Sequence, residues 1–167
     1  MDPIEIIQGR HILIVDDEKD VLETLTEYLE PAKLDRASDF EEAKLLLESN
    51  DYDLAVLDIM GVHGFDLLAI ARQRGIPAMM LTAHGLSEEN LKRSAAEGAG
   101  YYAPKDEISK IATFVADVLE AEDKKKSPWV KFFMRLGGYY DRLFGGTDWR
   151  EKEKEFWQKK LQELGGI

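Results

Sequence analysis

Four short apolar runs, each leading to a residue capable of chemistry, restrict this chain to a small set of folds. His11-Ile12-Leu13-Ile14-Val15 ends in Asp16-Asp17, Leu54-Ala55-Val56-Leu57 in Asp58, and Ala78-Met79-Met80-Leu81 in Thr82, while Ala99-Gly100-Tyr101-Tyr102 leads to Lys105. Runs this short are read as strands and the longer amphipathic stretches between them as helices, which predicts βα repeats around a parallel sheet. Residues just past the carboxyl ends of such strands meet in a single crevice. Three carboxylates, a hydroxyl and an ammonium would converge there, a set that can hold a divalent cation and accept a phosphoryl group.

The stretches between the runs fit this reading. Glu18 to Glu30 places Val21, Leu22, Leu25, Tyr28 and Leu29 on one helical face, and Pro31 stops it. A second strand is expected at about Lys33 to Ala37. A helix follows from Asp39 to Glu48, with Ser38 or Asp39 as its cap. The third strand, about Asp53 to Leu57, is apolar enough to be buried on both faces. Helices are further predicted at Gly64–Arg72, from Ser87 to Gly98, and at Glu107–Ala121. The expected fold is α/β, a doubly wound five-stranded parallel sheet of the flavodoxin-like kind with a C-terminal helical extension.

Charge divides the chain. Residues 1–121 carry 11 basic and 25 acidic side chains and the remainder 11 and 8, within an overall charge of −11. An acidic body argues against general nucleic-acid binding. The last 46 residues hold nine of the 16 aromatics and all three Trp. The expected organisation is a leader at 1–9, a body at 10–121, a linker at 122–127 and an aromatic-rich helical hairpin at 128–167. There is no cysteine, which excludes disulfide and thiolate chemistry. No apolar run approaches a membrane span and the first ten residues lack a signal-peptide core, so a cytoplasmic protein is expected.

Magnesium takes hard oxygen ligands and keeps several waters, so two carboxylates and a backbone carbonyl suffice to bind it. Without it, Asp16, Asp17 and Asp58 should repel and at least one pKa should rise. Phosphoryl transfer depends mainly on positioning and charge neutralisation.

With these residues in this order, the body resembles the receiver domain of bacterial two-component response regulators over about residues 10–121. The resemblance implies that Asp58 is the phosphoacceptor. It implies Mg2+ held by Asp17, Asp58 and the backbone carbonyl of Met60, with Asp16 acting through water. Lys105 and Thr82 would contact the phosphoryl group, and Thr82 and Tyr102 would form a switch pair. The implied donor is a sensor histidine kinase or phosphotransfer protein, and the implied role is signalling, with at most self-phosphorylation from small donors and autodephosphorylation. Two features depart from the family. The loop Asp58-Ile59-Met60-Gly61-Val62-His63-Gly64 is about two residues short and lacks a Met-Pro step, and Pro104 precedes Lys105 instead of following it.

Each residue also has a plainer reading. A lone Asp at a strand end is most often a cap or turn residue, Thr82 can be a core hydroxyl, and Tyr102 can be ordinary packing. His84 either borders the site or is an exposed loop residue, and His11 and His63 read as structural. A phosphatase of haloacid-dehalogenase type would need a second Asp two residues after its nucleophile, where this chain has Met60. A receiver-like module that never takes phosphate is the other rival.

In the tail, Ser127-Pro128 opens a helix on which Trp129, Phe132, Leu136, Tyr139 and Leu143 form a stripe. Gly137-Gly138 should weaken or kink it. Asp148-Trp149-Arg150-Glu151 reads as a capping box for a second helix whose apolar face is Trp149, Phe156, Trp157, Leu161 and Leu164. These aromatics need a partner surface: the body, a second copy, another protein or a membrane surface. With no helix-turn-helix, DNA-binding output is not expected.

Overall fold

A computed structural model describes residues 2–83 and 86–163. Five parallel strands, β1 (His11–Val15), β2 (Lys33–Ala37), β3 (Leu54–Asp58), β4 (Ala78–Thr82) and β5 (Tyr102–Pro104), lie in the order β2-β1-β3-β4-β5. The register pairs Ile12 with Leu54, Asp58 with Leu81 and Thr82 with Pro104. The central strands β3 and β4 are buried at every position, as their uninterrupted apolar sequence requires. The strand order reverses beside β1, which opens the crevice at the carboxyl ends of β1 and β3.

Around the sheet run α1 (Pro3–Ile7), α2 (Lys19–Tyr28), α3 (Phe40–Ser49), α4 (Gly64–Gln73), α5 (Glu88–Ala96) and α6 (Ile111–Lys124). Asp39 caps α3 by accepting from the Glu42 N–H, and Ser87 caps α5 by accepting from Asn90. The segment expected as a leader carries α1, whose Ile7 is fully buried and which packs on α6. Arg10 then pairs with Asp123.

Two boundaries differ from the sequence reading. The fifth strand begins only at Tyr102, because the Ala99-Gly100-Tyr101 stretch is the lead-in that follows α5. The expected Glu107–Ala121 helix is a 3-10 turn over Lys105–Lys110 followed by α6, which extends to Lys124. Lys125 ends α6 in the left-handed region at φ 54°, and the Lys126 N–H returns to the Ala121 carbonyl.

Beyond this turn lie α7 (Trp129–Leu143), α8 (Trp149–Lys152) and α9 (Lys154–Gln162). The Ser127 hydroxyl accepts from the Trp129 N–H and donates to the Lys160 carbonyl, which joins the start of α7 to the end of α9. Three tail expectations are corrected. Gly137-Gly138 does not interrupt α7, because tertiary packing holds the helix: a Cβ on Gly137 would collide with the Arg150 guanidinium. Asp148 does not cap, since it adopts φ 54° and makes no side-chain cap bond. The second helix is broken at Glu153, whose φ of −117° and ψ of 31° are not helical. Leu164 lies outside the described residues.

The tail packs against the body. Trp129, Phe132 and Tyr140 are buried, and their neighbours include Tyr101, 5.5 Å from Phe132, and Tyr102, 5.6 Å from Tyr140. The two sheet edges therefore differ. β2 leaves Lys33 and Arg36 exposed, whereas all of β5 is buried.

Candidate functional site

The parallel register brings the ends of β1, β3, β4 and β5 to one edge of the sheet, and Lys105 is the first residue past β5. Its ammonium lies 2.8 Å from Asp16 Oδ2, 3.3 Å from Asp58 Oδ1 and 3.3 Å from Glu18 Oε1. Asp16 and Asp58 are 0% and 4% exposed, so these are charges held out of water. The other Asp16 oxygen accepts from the Glu18 N–H at 2.9 Å, and Asp58 Oδ2 accepts from the Gly61 N–H at 3.2 Å.

Burial is the main reason that the Asp16 and Asp58 carboxyls are held above the ordinary carboxylate range; the repulsion expected from sequence is a smaller contribution. Burial would lower the Lys105 ammonium, but the hydrogen bond to Asp16 and the charges of Asp16 and Asp58 more than offset it, so its pKa is raised. Lys105 therefore keeps its charge.

Two glycines shape the short loop after Asp58. A Cβ on Gly61 would fall inside the Asp17 carboxylate, and one on Gly64 would meet the Asp58 backbone carbonyl. His63 turns the chain in the left-handed region at φ 54°, which brings α4 back against the strand in the space of a shortened loop. Met60 is 61% exposed.

Oxygen ligands of Asp16, Asp17 and Glu18 lie within 4.8 Å of one another. Together with Asp58 they set four carboxylates against one ammonium. All the donors are hard oxygens, and the excess of negative charge fits a divalent cation. Sequence reasoning missed Glu18. It stands directly after the acidic pair, and its side chain goes to Lys105 instead of capping α2.

Thr82 is fully buried at the end of β4. Tyr102 is fully buried. Its hydroxyl accepts from the Ser87 N–H at 3.1 Å, and burial pushes its pKa up to about 12. Tyr140 donates its hydroxyl to the Tyr102 carbonyl at 2.8 Å, a contact no local sequence signal announced. His11 is bonded to Asp35 at 2.9 Å and His63 lies against Phe40, both structural places. His84 lies outside the described residues.

Comparison with known proteins agrees with this geometry. The response regulator receiver domain family matches residues 12–116. Among curated relatives, the chain is 34% identical over 95 residues to the regulatory protein VanRB of Enterococcus faecalis, covering 54% of this chain and 43% of that one. It is 43% identical over 79 residues to the response regulator SaeR of Staphylococcus aureus, covering 44% and 34%. The chain thus spans less than half the length of either relative. Among solved structures, a CheY-like receiver domain protein from Methanospirillum hungatei aligns with a TM-score of 0.58 at 28% identity, covering 68% of this chain and 98% of that one. A response regulator from Chloroflexus aurantiacus aligns with a TM-score of 0.60 at 29% identity, covering 68% and 99%.

Proposed function

Because the chain belongs to the response regulator receiver domain family, we propose that it receives a phosphoryl group on Asp58 from a sensor histidine kinase or phosphotransfer protein. The observation that carries this reading is the Lys105 ammonium held against both Asp16 and Asp58 at the carboxyl edge of the sheet. An Asp58 carboxylate oxygen attacks phosphorus, and the bond from phosphorus to the donor nitrogen or oxygen breaks with its electron pair leaving on the donor. Lys105 donates to the phosphoryl oxygens, and the Thr82 hydroxyl donates to another. Asp17, Asp58 and the Met60 carbonyl would hold Mg2+, with Asp16 acting through water, and the ion would offset the charge of the incoming group. Glu18 joins the site by supporting Lys105.

In this reading the protein is a cytoplasmic signalling protein whose output runs through its C-terminal helices, by a protein partner or by self-association. Among the described residues no helix is long and apolar enough to cross a membrane. A phosphatase of haloacid-dehalogenase type is disfavoured because Met60, where that chemistry places an acid, cannot donate a proton.

The test is a small phosphodonor with magnesium. The purified chain should gain one phosphoryl group by intact mass, and Asp58→Asn should gain none while keeping its fold. Labelling that survives in Asp58→Asn would move the acceptor elsewhere.

A further inference from the structure

The tail also encloses space at the ends of the strands opposite Asp58 and Lys105. A cleft of about 430 Å3 lies where the turn into β4 and the lead-in to β5 meet the start of α7 and the end of α9. Leu68, Ile76, Pro77, Val118 and Trp129 give it apolar walls. Its sides are fixed by contacts between body and tail. The Trp129 indole N–H donates to the Ala99 carbonyl at 3.2 Å, and Gly100 lacks the Cβ that would stand 3.2 Å from Pro128 Cγ. The buried Ser127 hydroxyl holds the Lys160 carbonyl at 2.6 Å. A cleft of this volume, largely apolar and built where two units of a chain meet, is the usual setting for a small ligand.

Among the described residues, the charged side chains that line it are Arg72, Glu122, Lys160 and Glu163. Lys160 binds Glu163 at 3.0 Å, and Glu122 is engaged as well. Arg72, exposed in the last turn of α4, makes no side-chain hydrogen bond or ion pair with any described residue. Its stem is nonetheless held in place. Gly98 turns the chain at φ 103°, and a Cβ there would stand 3.1 Å from Arg72 Cδ and 3.3 Å from Nε. The glycine thus lets the arginine lie across the turn after α5 with its donors unspent. A guanidinium is a planar fork that matches a carboxylate by paired hydrogen bonds.

We propose that this cleft binds a small organic anion, a carboxylate carried on a flat apolar body, with the carboxylate on Arg72 and the body against Leu68, Ile76 and Trp129. The assignment does not depend on Asp58, which lies at the other ends of the strands. The ligand touches body and tail together, so it stabilises the docked tail by mass action.

The probe is 2-naphthoate, and 2-naphthylmethanol is its neutral counterpart. Each is titrated into the full chain by calorimetry at low ionic strength, with a thermal melt beside it. 2-Naphthoate should bind at one site per chain and raise the melting temperature. Arg72→Gln keeps most of the stem and loses the charged fork. Because Arg72 is exposed and unpaired, this variant should melt with the parent when no probe is present. It should bind 2-naphthoate more weakly by on the order of tenfold. 2-Naphthylmethanol should bind the parent more weakly than 2-naphthoate does, and should not distinguish the parent from Arg72→Gln. No saturable heat with millimolar 2-naphthoate, or equal affinity in Arg72→Gln, would overturn the site. The alcohol binding as tightly as the carboxylate would make the cleft a seat for an uncharged occupant and overturn the anion.

Discussion

Arg135 of α7 grips both oxygens of Asp117 on α6, Nε to Oδ2 at 2.5 Å and Nη2 to Oδ1 at 3.1 Å, while the Tyr101 hydroxyl donates to the same carboxylate at 2.9 Å. Asp117 is only 7% exposed, so a charge on the inner face of α6 is sustained by one residue from the tail and one beside β5. Asp117→Ala strands both partners and should cost about 2–3 kcal/mol of stability, less than a fully buried pair because Arg135 is partly open to solvent. Urea denaturation followed by Trp emission measures it.

The two adjacent glycines of α7 should respond differently to alanine. At Gly138 an added Cβ meets only the Arg142 guanidinium, at an ordinary contact distance of 3.5 Å. Gly138→Ala should therefore stabilise by about 1 kcal/mol through helix propensity. At Gly137 the same Cβ displaces Arg150, which pairs with both Asp141 oxygens at 2.9 and 2.8 Å and lies over the Phe133 ring. That loss should cancel the gain, leaving Gly137→Ala near the parent in a thermal melt.

Buried tyrosines set the alkaline limit. The folded Tyr102 phenol is held at about 12 by burial, above its ordinary value of 10. The folded state therefore keeps the proton more tightly than the unfolded chain. This stability is intact below pH 10 and is lost as pH rises through 12. Tyr101 and Tyr140 are shifted the same way by burial, and Asp117 adds to the effect on Tyr101. Phenolate absorbance from these residues should appear together with the loss of far-ultraviolet ellipticity.

The carboxylates of the site carry a consequence of the same sign at lower pH. Burial raises the Asp58 carboxyl, so its favourable contribution is present at acid pH, below the ordinary carboxylate value, and is lost as pH climbs through the raised one. At neutral pH without metal, Asp58→Asn should melt higher than the parent. Millimolar magnesium should raise the melting temperature of the parent and raise that of Asp58→Asn less. Equal magnesium shifts for the two proteins would remove Asp58 from the ion's ligands.

The parts legible in sequence are those fixed by short-range order. Asp16, Asp58, Thr82 and Lys105 could be placed because each ends an apolar run, and a parallel sheet brings such ends together. Glu18 was not legible, because its direction is set by a turn that sends its carboxylate to Lys105, 87 residues away. The aromatic stripe of the tail was visible, but its target was not: Trp129 to Ala99 and Tyr140 to Tyr102 are long-range bonds that no periodicity encodes. The kink expected at Gly137-Gly138 failed for the same reason, since Arg150 and the surrounding rings decide the helix there and propensity does not.

The covered β5 edge makes this receiver a poor cassette. In a modular regulator the domain after α6 can be exchanged for another without harm. Here a graft at Lys124 would strip the cover from Tyr101, Tyr102 and the open carbonyls of a terminal strand, leaving an apolar pairing edge of the kind through which proteins aggregate. Recombination that swaps output modules would be selected against at this junction, and the body and its C-terminal helices would be inherited as one piece.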